Sequence, residues 1–178
     1  MLEQAGVSFE VRSPDFDEDQ AKAGGEDGEL LARRLAEGKA ASIDAGAEAW
    51  VIGSDSTVSV EGVRFSKPRD RNEAAAHLRT FSGRAMLLWS AVALAQQGKV
   101  DWSHAETARL QVRTLSEPFI QSYLDQEWPE VGHCVGVFRM EGRGVQLFDS
   151  VEGSHFTILG TPLIPLLGAL RERGLLAS

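Results

Sequence analysis

The 178-residue chain has a single cysteine, Cys134. That excludes an internal disulfide framework and makes a reducing cytosol the expected home. No apolar run approaches the roughly 20 residues that a membrane helix needs. The opening stretch, MLEQAGVSFEV, has neither a basic n-region nor an apolar h-region, so it does not read as a secretory signal. Positive charge is also in short supply: 18 Lys and Arg stand against 26 Asp and Glu, a net −8 with His neutral. Such a balance argues against broad binding to nucleic acid or anionic membranes, which takes a basic surface. Zinc-like spacing is absent among His77, His104, His133 and His155, and there is no Gly-x-Ser-x-Gly nucleophile elbow. What remains is a chain with 43% apolar residues, long enough to bury a sizeable core. A soluble, single-domain protein over residues 1–178 is the expectation.

Periodicity sets out the elements. Val7, Phe9 and Val11 alternate with polar residues, predicting a strand over Val7–Arg12. An acidic turn follows at Ser13-Pro-Asp-Phe-Asp-Glu-Asp, and residues 24–28 read as an exposed loop. Leucine and alanine recur at helical spacing from Glu29 to Ile43. Ala49-Trp-Val-Ile-Gly53 is a short, nearly continuous apolar run, the look of a buried strand in a mixed or parallel sheet. Thr57–Val60 and Val63–Phe65 form a hairpin pair around Glu61-Gly62. Asp70, three residues before Glu73, opens a helix that ends near Phe81. Long β-patterned runs cover Ala85–Gln96 and Val100–Arg113, and Ser116-Glu-Pro starts a helix through Leu124. Short strands are predicted around Gly136–Phe138 and Val145–Phe148, and a last helix from about Pro162 to Arg173, stopped by Gly174. The order β-α-β-ββ-α-β-β-α-β-β-α predicts an α/β (α+β) domain around one mixed, twisted sheet flanked by helices.

Four segments carry side chains suited to chemistry. In Val51-Ile-Gly-Ser-Asp55 a carboxylate is expected just past a buried strand, where α/β proteins place ligands. Asp55 there either caps a turn or holds a divalent metal or orients a water. Only four basic residues are lysines, and Lys39 and Lys67 both fall in motif-like settings. A lysine neutralises a phosphate oxygen as a compact charge, although Lys67 taken alone also reads as a solvated loop residue. Asp15, Asp17 and Glu18 are clustered carboxylates of the kind that suits Mg²⁺, or simply an acidic loop. Glu141 lies in a Gly-rich turn, Glu141-Gly-Arg-Gly144, which matches neither a P-loop nor a dinucleotide fingerprint. Cys134 beside His133 reads as a structural thiol, because neighbours in a strand point to opposite faces.

In order and spacing these segments resemble the Maf family of nucleoside-triphosphate pyrophosphatases. The resemblance runs through Leu2-Glu-Gln-Ala-Gly-Val with Phe9-Glu-Val, Asp17-Glu18, Leu35-Ala-Glu-Gly-Lys39-Ala and Val51-Ile-Gly-Ser-Asp55. It continues through Lys67-Pro68 with Asp70, Phe81-Ser-Gly-Arg84, Glu141-Gly-Arg-Gly144, Val151-Glu-Gly-Ser and Phe156-Thr-Ile-Leu-Gly-Thr-Pro-Leu. It implies a mixed α/β fold with a nucleotide cleft. The implied activity is hydrolysis of a nucleoside triphosphate to monophosphate and pyrophosphate with Mg²⁺ or Mn²⁺, a house-cleaning of non-standard nucleotides. Carried over by position, Asp55 would be the catalytic carboxylate and a metal ligand, and Glu18 would help form the metal site. Lys39 and Lys67 bind the triphosphate, and Glu141 lies near the base or the phosphates.

Glu141, where the pyrimidine-preferring branch has Gln, together with Gly53-Ser-Asp55, resembles the branch acting on N7-methylguanosine triphosphate. The alternatives are a dTTP or UTP pyrophosphatase, or a catalytically impaired, nucleotide-binding or division-linked relative. A cytoplasmic monomer or homodimer is implied. The resemblance also implies a strand and a Ser-x-Ser-x-x-Arg phosphate loop ahead of Leu2, so the chain is expected to be truncated at its N-terminus. Gly38, where Glu commonly precedes the lysine, Ser154 in place of a frequent Asp, and Ser56-Thr57 after Asp55 depart from the family pattern.

Overall fold

The computed structural model describes residues 1–24 and 27–177. The chain divides into two compact units. The first comprises residues 1–56, 89–106 and 154–178; the second comprises residues 57–88 and 107–153. A five-stranded sheet has the order β2-β1-β3-β4-β5, with β1 Trp50–Val60, β2 Val63–Phe65, β3 Ala85–Gln96, β4 Lys99–Val112 and β5 Phe148–Glu152. The α/β class is as expected, but the sheet is antiparallel rather than mixed. For β1 and β2 the tight link explains this: the two-residue connection Glu61-Gly62 returns the chain only antiparallel, and Val60 pairs directly with Val63.

In the first unit β1 is covered on both faces, which is why its apolar run imitates a parallel strand. Val51 packs with Ala32, Ala36 and Ala40 of helix α2 (Gly28–Ala41). Trp50 and Ile52 point the other way, against Leu166 and Leu170 of helix α6 (Leu163–Glu172), which follows the one-turn helix α5 (His155–Ile158). Gly53 makes the close packing of α2 possible. A Cβ there would sit 2.2 Å from the Ala36 carbonyl oxygen and 2.6 Å from the Ala40 nitrogen.

The helices start where their caps predict. Asp27 accepts from Leu30 N at 2.8 Å and opens α2. Gly25 and Glu26, in the middle of the loop expected over 24–28, lie outside the described residues. In the second unit, Asp70 accepts from Glu73 N at 2.9 Å and opens α3 (Arg71–Phe81), and Ser116 caps α4 (Glu117–Glu127). In the first unit α6 closes on Gly174, whose φ of +69° allows Leu175 N to donate back to the Leu170 carbonyl at 2.9 Å. No helix among the described residues is long and apolar enough to cross a membrane.

Four expectations need correction. Val7–Arg12 forms no strand: it has no ladder partner among the described residues, and Val11 is 87% exposed. Alternation supplies a face but not a neighbour to pair with. The acidic turn expected over 13–19 runs into a short helix, α1 (Glu18–Lys22), with Asp17 accepting from Gln20 N at 3.0 Å. Gly136–Phe138 is a turn with Val137 at φ +56°; its apolar side chains are buried without belonging to a sheet. Residues 143–147 wind into a 3₁₀ turn, so the strand expected over 145–148 begins only at Phe148 and pairs with β4.

The Gly53 contact generates a stability test. Gly53→Ala is expected to destabilise the protein by about 1–3 kcal/mol or more, because backbone must move to admit one methyl group. Gly168→Ala, where a Cβ would meet nothing within 4 Å in a helix, is expected to stabilise by about 0.5–1 kcal/mol. Urea unfolding of both variants checks the contrast.

Candidate active site

The first unit brings Glu18, Lys39 and Asp55 together. Along β1, residues 51, 53 and 55 share the face toward α2, so the side chain two residues beyond Gly53 points at the helix's last turn. Lys39 lies three residues after Ala36 and one before Ala40, the two alanines that receive Gly53. Its ammonium hydrogen-bonds Asp55 Oδ2 and lies 2.8 Å from Glu18 Oε1. The second Glu18 oxygen takes Lys22 Nζ at 2.6 Å, and the second Asp55 oxygen takes the Ser56 amide at 2.7 Å. Asp55 therefore lies within β1, which runs on to Val60, and not just past the end of a strand.

The three side chains are partly buried: 14% of Asp55, 21% of Lys39 and 37% of Glu18 is exposed. Hydrogen bonds from Lys22 and then Lys39 hold the Glu18 carboxyl down at about 2, against the ordinary 4.5. For Lys39, burial works against the charged form, but the hydrogen bonds to Asp55 and Glu18 outweigh it and raise its pKa. The amine is therefore a fixed cation.

Hydroxyl groups on the opposite face tie β1 down. Ser54 Oγ lies 2.8 Å from the Gly160 carbonyl oxygen and 2.9 Å from that of Ala91. Ser56 and Ser90 hydroxyls meet at 2.7 Å, and Ser90 donates to the Thr157 carbonyl at 2.7 Å. The backbone around Asp55 is thus held by the turn at 157–161. A groove of about 950 Å³ is lined by Trp50–Ser54, Val7–Arg12 and Lys39 among others.

Glu18 and Asp55 offer hard oxygen donors on either side of Lys39. Among the described residues no three His, Cys, Asp or Glu side chains converge as a complete metal cage. Two carboxylates with water and phosphate filling the remaining positions is, however, the usual way Mg²⁺ is held. The donor set fits a cation that arrives with a polyphosphate.

Lys67 and Glu141 belong to the second unit, where both are exposed. There each acts electrostatically on Cys134, Glu141 raising its pKa and Lys67 lowering it. Burial is the largest influence and pushes the thiol up, so Cys134 is no activated nucleophile. Asp15 and Asp17 are not drawn into the Lys39 cluster; Asp17 is spent on capping α1. Lys22 is the partner that the sequence reading overlooked. Its signal was the Glu18-to-Lys22 spacing of four, which pairs side chains on one helix face.

Comparison with known proteins shows the family. The model of the Maf-like protein family matches residues 1–173, and the chain belongs to that family. A 7-methyl-GTP pyrophosphatase of Rhizobium meliloti (strain 1021) is 42% identical over 98% of this chain and 90% of its own length. A nucleoside triphosphate pyrophosphatase of Gluconobacter oxydans (strain 621H) is 39% identical over 100% of this chain and 91% of its own. Another, from Sphingopyxis alaskensis (strain DSM 13593 / LMG 18877 / RB2256), is 41% identical over 98% and 91%.

The depressed Glu18 carboxyl has a defined consequence for stability. Its contribution is fully present above the unfolded value of 4.5 and is lost as pH falls through about 2. Glu18→Gln is expected to flatten that part of the acid limb, with the share due to Glu117, also held at about 2 by Arg79 and Gln121, remaining. Urea midpoints measured from pH 6 to pH 2 without metal would show it. An unchanged limb would mean that Glu18 is not paired in solution.

Proposed function

We propose that this protein hydrolyses a nucleoside triphosphate to the monophosphate and pyrophosphate, with N7-methylguanosine triphosphate as its preferred substrate. The observation that carries the reading is the Glu18–Lys39–Asp55 cluster, built into a chain of the Maf-like family whose relatives are named pyrophosphatases.

In this reading Lys39 leaves its carboxylate partners in part to take a phosphate oxygen, and its fixed charge neutralises the tail. Asp55, held by the Ser56 amide and the hydroxyl-anchored strand, orients a water and accepts its proton. Water oxygen adds to the α-phosphorus, the α–β anhydride bond breaks, and pyrophosphate departs. Glu18 and Asp55 would hold Mg²⁺ or Mn²⁺, which supplies charge neutralisation for the phosphate oxygens. Lys67 is assigned to the triphosphate and Glu141 to the base or the phosphates; their support is the resemblance of Lys67-Pro68 and Glu141-Gly-Arg-Gly144 to the family, in a chain that its model matches over residues 1–173.

The base preference has two supports. The Rhizobium meliloti and Rhizobium etli relatives, each 42% identical, carry the 7-methyl-GTP name. A carboxylate at position 141 also accepts hydrogen bonds from the donors of a guanine edge, whereas an amide offers donors too. We place the protein in the cytoplasm as a monomer or homodimer, consistent with its lone cysteine and the lack of a membrane-length helix among the described residues.

Pyrophosphate release with Mn²⁺ and separate triphosphates tests the reading. N7-methylguanosine triphosphate is expected to turn over faster than dTTP or UTP; faster pyrimidine turnover would reassign the base. Asp55→Asn is expected to lower kcat by about 10²–10⁴-fold in a folded chain, the range for loss of a positioned general base. Near-normal rates would remove Asp55 from the chemistry. Thermal stabilisation by nucleotide with no pyrophosphate release from the wild-type chain would leave a binding protein only.

A further inference from the structure

Gly38 poses a problem of its own: it sits inside α2, where glycine costs about 1 kcal/mol relative to alanine. Its hydrogen side is filled by the ring of Phe16. A Cβ on residue 38 would lie 2.3 Å from both Cε2 and Cζ of that ring and 2.9 Å from Cδ2. The ring also packs against the buried cluster of Ala21, Leu31 and Leu35, so α1 and α2 are joined through it.

We infer that Phe16 and Gly38 are a positioning pair, a large side chain seated on a missing one, that carries Glu18 to Lys39. Phe16 immediately precedes Asp17, the cap of α1, and Glu18 is the first residue of that helix. A five-residue helix has too few hydrogen bonds to stand alone, so tertiary contact fixes its place. The seat is adjacent in sequence to the cation it serves: Gly38 receives the ring, and Lys39 receives Glu18 Oε1 at 2.8 Å. A side chain at position 38 would push the ring, and α1 with it, away from the site.

The inference rests on the pyrophosphatase reading only for what Glu18 does once delivered. Its direct test is therefore independent of activity: the thermodynamic coupling of Glu18→Gln and Lys39→Met, measured by urea unfolding of the full chain in four backgrounds. Coupling is expected in the wild-type background, to be lost in Gly38→Ala, and to return in Phe16→Val/Gly38→Ala, where the smaller side chain makes room for the methyl. Phe16→Ala, which removes the anchor and adds no atom, is expected to lose the coupling as well. Retained coupling in Gly38→Ala would overturn the proposal: the ring would have swung into the neighbouring hollow of about 310 Å³ and left Glu18 in place. Loss without recovery in the double variant would overturn it equally, as general damage to α2.

If the wild-type enzyme is active, Gly38→Ala is further expected to raise the Mn²⁺ concentration for half-maximal rate about tenfold. The rate at saturating Mn²⁺ should then stay within about twofold. An inactive wild-type chain would count against the function proposed above and leave the coupling result standing.

Discussion

The approach of α2 to β1 at Gly53 is the constraint on which the candidate site depends. Helix backbone lies where a strand residue's Cβ would be, against the Ala36 carbonyl oxygen and the Ala40 nitrogen. Alanines at 32, 36 and 40 give the helix a thin face, and a hydrogen at 53 gives the strand a matching dent. At that separation a lysine from the last helical turn reaches a carboxylate two residues further along the strand. Packing of small residues, which carries no chemistry of its own, sets the Lys39–Asp55 contact.

The charge pattern follows from that geometry. Two carboxylates and two ammonium groups alternate as Lys22, Glu18, Lys39 and Asp55, partly out of water. The two ammonium groups hold the Glu18 carboxyl well below its ordinary range, and the two carboxylates keep Lys39 charged against its burial. A protein of net charge −8 can still offer an anion a local cation this way. Glu18 and Asp55 then supply the oxygen pair that a cation accompanying the anion would use. The two anchoring systems differ in kind: Asp55 is held by a strand tied down through hydroxyls, Glu18 by a ring seated on a glycine.

Most of the framework could be read from periodicity and caps. Asp70 and Ser116 cap the helices they were expected to open, and the Glu61-Gly62 hairpin pairs Val60 with Val63 as predicted. Failures occur where an element's existence depends on something distant in the chain. Val7–Arg12 has the alternation of a strand but no ladder partner among the described residues. α1 is too short to leave a periodic signature, so Glu18 was read from an acidic cluster and its partner Lys22 was missed. Asp55 meets Lys39 but from within β1, not from just past a strand end, because a glycine and two serines after an apolar run look like a turn. They continue β1 instead, with Ser54 and Ser56 bonding across to the 157–161 region and its strand neighbours. Gly38 reads in sequence as a defect in a helix, because the Phe16 ring that fills its place lies 22 residues away in the chain.

The most direct measurement is a crystal structure of the full chain with Mg²⁺ and a non-hydrolysable α,β-methylene analogue of a guanosine triphosphate. The account predicts a phosphate oxygen at hydrogen-bond distance from Lys39 Nζ, about 2.7–3.2 Å. It also predicts the cation about 2.0–2.1 Å from carboxylate oxygen of Asp55 or Glu18, with the α-phosphorus facing Asp55. A nucleotide bound elsewhere, with Lys39 still closed between Glu18 and Asp55, would contradict it.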